Sequence, residues 1–110
     1  MVTSSSPFGG LARTEVLLAL RLLGDSYPRE LARTLERPLS GVQAALQGLE
    51  RDGLVAGRTA GRTRLFRLNP RYFAREELAT YLLKLAEADP ALNARVERVR
   101  RRPRRTGKPR

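Results

Sequence analysis

Residues Pro28 to Leu54 read PRELARTLERPLSGVQAALQGLERDGL, and the rest of the chain is organised around them. In the second half of this segment, apolar residues recur at i, i+4 and i+7, at Val42, Leu46 and Leu49. This period predicts a helix with one buried stripe. Pro28 suits the first turn of a preceding short helix, and Pro38 forces the residue before it out of helical conformation. The segment therefore predicts two short helices joined by a tight turn.

The face of the second helix opposite the apolar stripe carries small or amide side chains, one cation and no carboxylate. Its members are Ser40, Gln43, Ala44, Gln47 and Arg51. Glutamine can bond adenine in two places, serine both donates and accepts, and arginine can bind a phosphate, so this face suits a DNA groove. The alternative is an ordinary amphipathic helix with a weakly polar outer face. Asp52-Gly53 ends the helix on either interpretation.

The length, charge and residue types of the chain limit the classes of protein to which it can belong. The 110 residues suffice for one domain with a modest core. A formal net charge of +11, from 22 Lys and Arg against 11 Asp and Glu, favours polyanionic partners such as nucleic acid or an anionic membrane surface. The absence of Cys and His removes disulfides, thiol chemistry, the usual soft metal ligands and imidazole catalysis.

No apolar signal core stands at the start of the chain, and no apolar run is long enough to span a bilayer. No lipidation signal accompanies the basic residues, so a membrane partner is not expected. We expect a cytoplasmic, nucleoid-associated protein that uses no metal and no cofactor.

The segments on either side of residues 28–54 predict three more helices. A first helix, from about Gly10 to Leu23, is apolar around so much of its surface that it is either central or shared with a partner chain. Another begins at Arg71 or Ala74 and ends at Ala88. Its apolar positions are Phe73, Leu78, Tyr81, Leu82 and Leu85.

The last predicted helix runs from Pro90 to about Arg101, with Asp89 as its cap. Its narrow stripe of Leu92, Val96 and Val99 either packs on the preceding helix or seals a dimer.

Between Leu54 and Leu68 the helical spacing of apolar residues stops, and two runs typical of β-strands flank Ala60-Gly61. This pattern predicts a β-hairpin. A two-residue loop at Ala60-Gly61 would place Val55 opposite Phe66 and Arg58 opposite Thr63, although Ala-Gly is a weak turn signal and allows a shift by one residue. The tip holds Arg58, Thr59, Arg62, Thr63 and Arg64. Arginines this close repel one another unless phosphates neutralise them, so the tip is a candidate phosphate contact. The alternative is a solvated loop that deters edge aggregation.

Most of the basic charge lies at the C-terminal end. Residues 95–110 hold nine Arg and Lys and one Glu, a net charge of +8. Such a tail can bind nucleic acid without sequence preference, or it can serve as a flexible solubilising end. The predicted organisation is a disordered segment 1–9, a domain 10–88, a C-terminal helix 89–101 that is a candidate dimer contact, and a disordered basic tail 102–110.

This order of elements resembles the winged helix-turn-helix transcriptional regulators, and most nearly their ArsR/MarR-like groups. The family pattern R-E-L-A … S-x-V-x-x-x-L-x-x-L-E-x-x-G-L-V is matched by Arg29-Glu30-Leu31-Ala32, Ser40, Val42, Leu46, Leu49-Glu50 and Gly53-Leu54-Val55. The stretch GRTRLFRL, residues 61–68, is similar to the second wing strand of that family. The resemblance spans residues 10–88.

The resemblance implies a mainly α fold with a small β-hairpin, in which the third helix enters the major groove and the wing lies on the adjacent backbone or minor groove. It also implies a homodimer on a palindromic operator in double-stranded DNA, with dimer contacts from the first and last helices. The chain departs from the family in two respects. It lacks the Cys and His clusters of metal-sensing members, and Pro38-Leu39 and Gly41 replace the usual small polar start of the third helix.

The first functional hypothesis is therefore a DNA-binding transcriptional regulator of the repressor type. Ser40, Gln43 and Gln47 would read bases. The phosphate contacts would be Arg51, Arg58, Arg62 and Arg64, with Arg29 or Arg37 beside the second helix. The sequence indicates no particular small-molecule effector.

The second hypothesis is a winged-helix module for protein contact, whose first and last helices dock another chain. An enzyme is not expected, because the chain lacks paired acids and a Gly-rich phosphate loop. The scattered acids Asp25, Glu30, Glu36 and Glu50 are expected to be surface ion-pair partners.

Overall fold

The computed structural model describes residues 8–101, which form five helices and one two-stranded antiparallel hairpin. In chain order the elements are α1 (Leu11–Leu23), α2 (Pro28–Leu35), α3 (Leu39–Arg51), β1 (Val55–Ala60), β2 (Thr63–Leu68), α4 (Arg75–Glu87) and α5 (Pro90–Arg101). The predicted mainly α fold with a small hairpin is confirmed. Of the segment 1–9 that was predicted to be disordered, residues 1–7 lie outside the described residues, as does the predicted tail 102–110. Phe8, within the same predicted segment, packs partly buried against the core.

α1 is the central helix of the fold. Its residues 16–20 are all buried, and the helix contacts each of the other four helices and β2. A helix that is apolar on several sides needs neighbours on several sides, and here the same chain supplies them. The apolar excess predicted for this helix is thus accounted for within one chain, apart from Leu11, which is 45% exposed.

α2 and α3 form the tight helix pair that the sequence predicts. Pro28 occupies the first position of α2, and the Glu30 carboxylate accepts a hydrogen bond of 2.9 Å from the Tyr27 N–H. α2 ends at Leu35, and Glu36, which follows it, is the one non-glycine residue with positive φ (+57°) among residues 8–101. α3 ends before Gly53, which takes the left-handed conformation (φ +83°) expected of a helix stop.

The hairpin register differs from the predicted one. Ala60 pairs with Thr63 across a loop formed by Gly61 and Arg62, so the loop at Ala60-Gly61 and the pairing of Arg58 with Thr63 were wrong. Two-residue hairpin turns place a positive φ at the first loop position. Gly61 adopts φ +67° there without steric cost, whereas alanine at that position would be strained.

The observed register puts Val55 opposite Leu68 and Phe66 opposite Gly57, so the predicted pairing of Val55 with Phe66 was wrong. Ser26 and Phe66 also exchange two backbone hydrogen bonds of 2.9 Å, in which each residue donates its N–H to the other's carbonyl oxygen. These bonds fix the hairpin to the connector that precedes α2.

The start of α4 corrects a second prediction. Residues 71–74 form turns before the helix begins at Arg75, so a start at Arg71 was wrong. The Asn69 side-chain oxygen accepts a 2.9 Å hydrogen bond from the Arg71 N–H and holds this turn. Tyr72 then packs against the core, and Phe73, which the sequence assigned to the apolar positions, is 91% exposed.

Tyr81 is a further departure, since this predicted apolar position of α4 is 45% exposed. Leu78 and Leu82 of the same helix are buried, as predicted.

α5 packs on its own chain against α1, α2 and α4. The predicted cap is confirmed, because the Asp89 carboxylate accepts a hydrogen bond of 3.1 Å from the Leu92 N–H. Leu92 and Val96 are each 2% exposed, so the stripe that could have sealed a dimer is mostly covered. None of the helices within residues 8–101 combines the length and the apolar character needed to cross a membrane.

Candidate nucleic-acid interface

The outer face of α3 is open to solvent. The exposed residues are Ser40, Gln43, Ala44, Gln47 and Arg51. The residues between them, Val42, Ala45, Leu46 and Leu49, are buried against the core. Because the helical period separates the two sets, burial of one set leaves the other free for contact with a partner.

A groove of about 440 Å³ joins the start of this face to the tip of the hairpin. It is lined by Gln43 of α3, by Arg62 and Thr63 of the hairpin, and by Arg29 of α2. Three elements that are separate in the sequence therefore bring an amide, a hydroxyl and two guanidinium groups to one surface.

A second groove of about 330 Å³ continues along α3. Gln43 and Gln47 line it on the helix side, and Thr63 and Arg64 line it on the hairpin side. The two glutamines thus share one side of the molecule with two of the three tip arginines.

Arg64 binds Glu50 as well as lining this groove. Its guanidinium donates two hydrogen bonds, of 3.0 and 2.7 Å, to the two carboxylate oxygens of Glu50 at the end of α3. Its Cζ atom also lies 5.1 Å from the centre of the Phe66 ring. Glu50 is one of the four acids that the sequence predicted to be surface ion-pair partners, and this pair links the hairpin to the last turn of α3.

The hydrogen bonds from Arg64 hold the pKa of Glu50 below its usual range, and the same bonds raise the pKa of Arg64. The two side chains are 32% and 47% exposed, so water screens the charge attraction. The paired hydrogen bonds still fix the orientation of the hairpin, because a guanidinium and a carboxylate fit each other in one plane.

Gly57 is a residue of this site that sequence reasoning missed. A Cβ atom at this position would lie 2.7 Å from Phe66 Cε1 and 2.8 Å from an Arg64 guanidinium nitrogen. Only glycine leaves room for the Phe66 ring and the Arg64 side chain to cross the strand here. An isolated glycine inside a predicted strand was the available signal, since it often marks a close approach.

The tip arginines do not all face the same way. Arg58 is exposed and pairs with Leu65, which puts its side chain on the face of the hairpin opposite Arg64 and Phe66. Thr59 is also exposed and pairs with Arg64. The predicted cluster of three arginines is therefore divided between the two faces of the wing.

Arg37 lies in the α2–α3 turn and binds within the protein. It donates a 2.8 Å hydrogen bond from Nε to a Glu15 carboxylate oxygen and is 30% exposed. This predicted phosphate contact ties the turn to α1. Two residues that were not predicted, Tyr27 and Arg33, line the same groove as Arg29. The spacing of Arg29 and Arg33, one helical turn apart, was the signal for the second arginine.

Contacts with α1 also fix the position of α3 from its inner side. Arg13 of α1 forms an ion pair with Asp52 at the end of α3. The Arg13 side chain passes beside the buried Gly48, where a Cβ atom would lie 2.8 Å from its guanidinium. The glycine therefore lets α1 approach the inner side of the helix whose outer side is the candidate interface.

Comparison with known proteins agrees with this fold. The sequence matches no family model and no curated protein. Among solved structures it is similar to a MarR family transcription regulator, with a TM-score of 0.59 and 24% identity over 77% of this chain and 56% of that one. It is also similar to ZitR from Lactococcus lactis, with a TM-score of 0.62 and 17% identity over 86% and 64% of the two chains.

A third similar structure is the adhesin competence repressor AdcR from Streptococcus pyogenes. Its TM-score is 0.55, with 19% identity over 83% of this chain and 66% of that one. At identities below 25% these similarities establish the fold, which is the winged helix-turn-helix that the sequence resembled. The chain spans only 56% to 66% of the length of these three proteins.

Proposed function

We propose that this chain is a transcriptional regulator that binds double-stranded DNA through α3 and the hairpin wing. The observation that carries the proposal is the shared surface on which Gln43 and Gln47 meet Arg62, Thr63 and Arg64. A major groove offers base edges that match amides, and its borders are lined by phosphates that match guanidinium groups. Two of the similar structures are described as a transcription regulator and a repressor, which agrees with the proposal.

In this proposal α3 lies in the major groove, where Ser40, Gln43 and Gln47 contact bases and the small Ala44 allows close approach. The wing lies on the adjacent backbone or minor groove, with Arg62 as its principal phosphate ligand.

The remaining cations take different roles in the proposal. Arg29 contacts a phosphate from α2, and Arg51, exposed at the end of α3, contacts another. Arg58 contacts the backbone from the face of the wing opposite Arg64, whereas Thr59, which pairs with Arg64, contacts it from the same face as Arg64. A phosphate contact by Arg64 or Arg37 competes with the carboxylate that each already binds.

We further propose that the chain acts as a homodimer and a repressor. Exposed apolar side chains at the start of α1 and on α4 support a dimer, because Leu11 and Tyr81 are each 45% exposed. The Phe8 ring lies 6.1 Å from the ring of Tyr81 and adds an aromatic group beside it. Sedimentation at tens of micromolar protein should give the mass of two chains, and a single chain throughout would contradict the dimer.

Selection of bound sites from a pool of random duplexes tests the function directly. The expected result is an enriched motif, and a palindrome would follow from two-fold symmetry of the dimer. Failure to enrich any motif, together with no binding of duplex DNA below about one micromolar at moderate salt, would overturn the proposal, because even non-specific binders begin to bind in that range.

The alternative is a winged-helix module for protein contact. The 91% exposure of Phe73 and the exposure of Tyr81 favour it, since large exposed apolar groups often mark contact surfaces. The same duplex-binding experiment separates the two functions, because a protein-contact module should retain no motif and should show no duplex affinity.

A further inference from the structure

The outward side of α4 carries charged and aromatic side chains that stay exposed in the described chain. Glu77, Tyr81 and Lys84 follow one another at intervals of four and three residues, so they lie on one face of the helix. All three are exposed, and they line one shallow hollow of about 510 Å³ together with Glu76 and Thr80. The opposite side of the helix is buried against α1 and α5, so this face is free to meet a partner.

The charges on this face have no partner in the described part of the chain. Neither Glu77 nor Lys84 forms an ion pair with another of the residues 8–101. At a rise of about 1.5 Å per residue, Glu77 lies about 6 Å before Tyr81 along the helix axis, and Lys84 lies about 4.5 Å after it. The face is therefore negative at one end, aromatic in the middle and positive at the other end.

A surface with this order of charges is complementary to a second copy of itself. A two-fold axis that passes between Thr80 and Tyr81, perpendicular to α4, reverses the direction of the partner's helix. Glu77 then meets the partner's Lys84, and Lys84 meets the partner's Glu77, while the two tyrosines pack across the axis. A parallel pair of α4 helices would instead set like charges against each other, so the charges select the antiparallel arrangement.

We propose that two copies of this chain associate through an antiparallel pair of α4 helices, centred on Tyr81 and held by two Glu77–Lys84 ion pairs. The inference rests on the proposed homodimer and assigns its interface. It differs from the arrangement that the family resemblance implies, in which the first and last helices make the dimer contacts. α5, the last described helix, buries Leu92 and Val96 against its own chain, so most of its apolar stripe is already covered.

The same arrangement gives the exposed ring of Phe73 a neighbour. Phe73 is 91% exposed and lies two residues before α4 begins at Arg75. The axis that pairs position 77 with position 84 also brings position 73 to the level of position 88, just past the end of the partner's α4 at Glu87. The partner's helix therefore ends beside the turn that carries this ring, and one interface involves both exposed aromatic residues of this region, Phe73 and Tyr81.

Charge reversal tests the two ion pairs between the chains. Glu77→Lys leaves two positive charges on the face, and Lys84→Glu leaves two negative charges. Either variant alone therefore brings like charges together twice in each dimer, and its dissociation constant should rise by at least about tenfold. Sedimentation at a concentration where the unaltered chain is a dimer should then give the mass of one chain.

An equimolar mixture of the two variants gives the sharper result. It should regain the mass of two chains, because each variant supplies the charge that the other lacks. Recovery in the mixture also shows that both variants are folded, since the pairing requires an intact helix face. Arg67→Glu is the control, because it reverses one exposed charge on the hairpin and should leave the dimer unchanged. If the single variants remain dimers, or if the mixture stays monomeric, the α4 interface is wrong.

DNA binding separates this inference from the proposed function. If the unaltered chain binds its selected duplex but sediments as one chain at every concentration, the regulator function stands and the dimer fails together with its interface. If it forms a dimer that neither reversal affects, the interface alone is wrong. If the reversals and their mixture behave as expected but no duplex is bound, the interface stands and the proposed function fails.

Discussion

Individual side chains on the candidate interface differ in whether they are free to bind a partner. Gln43, Gln47 and Arg62 are exposed and line the grooves between α3 and the wing. Arg64 and Arg37 carry the same guanidinium group, but each of them binds a carboxylate of the protein. The positions expected to matter for DNA are therefore fewer than the number of arginines suggests.

Substitution of one glutamine and one arginine should affect DNA binding differently. Arg62→Ala should weaken binding to every duplex and reduce the salt slope by about one unit, since one phosphate contact is lost. Gln47→Ala should leave the salt slope unchanged and relax sequence preference at one base pair, because an amide reads base edges and carries no charge. The measurement is a salt titration on the selected duplex and on single-base variants of it. Equal salt slopes for Arg62→Ala and the unaltered chain would contradict the phosphate assignment.

The pair of Glu50 and Arg64 should give stability a specific pH dependence. Because Arg64 lowers the pKa of Glu50 in the folded state, the stabilisation is complete above the pKa of Glu50 in the unfolded chain. It is lost as the pH falls through the lower folded-state pKa. Both groups are partly exposed, so the contribution should be below about 1 kcal/mol.

Urea unfolding of the unaltered chain and of Glu50→Gln, at neutral pH and at successively more acidic pH, measures this contribution. The two proteins should differ at neutral pH and converge in acid. A difference that stays constant down to strongly acidic pH would show that the ionised carboxylate is not responsible.

The hairpin depends on contacts with the elements around it. A two-stranded hairpin is marginally stable in water without further packing. Here Ser26 binds the backbone of Phe66, Glu50 binds Arg64, and the Phe66 ring is buried against the core. These contacts set the angle between the wing and α3, which decides whether both can touch one duplex.

Gly57→Ala should destabilise the protein through this hairpin. The added Cβ would lie 2.7 and 2.9 Å from two atoms of the buried Phe66 ring, which has little room to move. Overpacking of this kind costs about 1 to 3 kcal/mol. Urea unfolding measures the change.

Gly41→Ala is the matched control, since its Cβ would meet no other atom within 4 Å. It should be neutral or stabilising by up to about 1 kcal/mol, because alanine has the higher helix propensity. If both variants lost the same stability, the close approach at Gly57 would not be the cause.

The whole molecule is built around α1. This helix contacts all the other helices and β2, so the position of α3 and the wing relative to α5 depends on one shared core. Domains of this size are only marginally stable, with a free energy of unfolding of typically about 5 to 15 kcal/mol. A defect in α1 should therefore affect every surface of the protein together.

Leu17→Ala should show this dependence. Leu17 is 0% exposed at the centre of α1, and removal of a buried leucine side chain costs about 2 to 5 kcal/mol. Leu11→Ala, at a position 45% exposed on the same helix, should cost much less and serves as the control. Urea unfolding followed by circular dichroism measures both. Similar losses for the two variants would contradict the central role of α1.

Much of the architecture can be predicted from local patterns in the sequence. The limits of α1, α2, α3 and α5 follow from helical period, proline positions and capping residues, which act between neighbours in sequence. The exposure of Gln43 and Gln47 follows in the same way, since burial of one helical stripe turns the opposite face outward. Arg62 belongs to the tip on either register of the hairpin.

The three-dimensional packing settled the matters that involve distant residues. Glu50 and Arg64 lie 14 positions apart, and Glu15 and Arg37 lie 22 apart, so no local period indicates which carboxylate each arginine binds. The exposure of Phe73 arose because the preceding turn directs Tyr72 to the core in its place. Periodicity tells which side of a helix faces inward. It does not tell whether an arginine binds a carboxylate of its own chain or a ligand at the surface. Folding decides this, because it sets the distances between the charged groups.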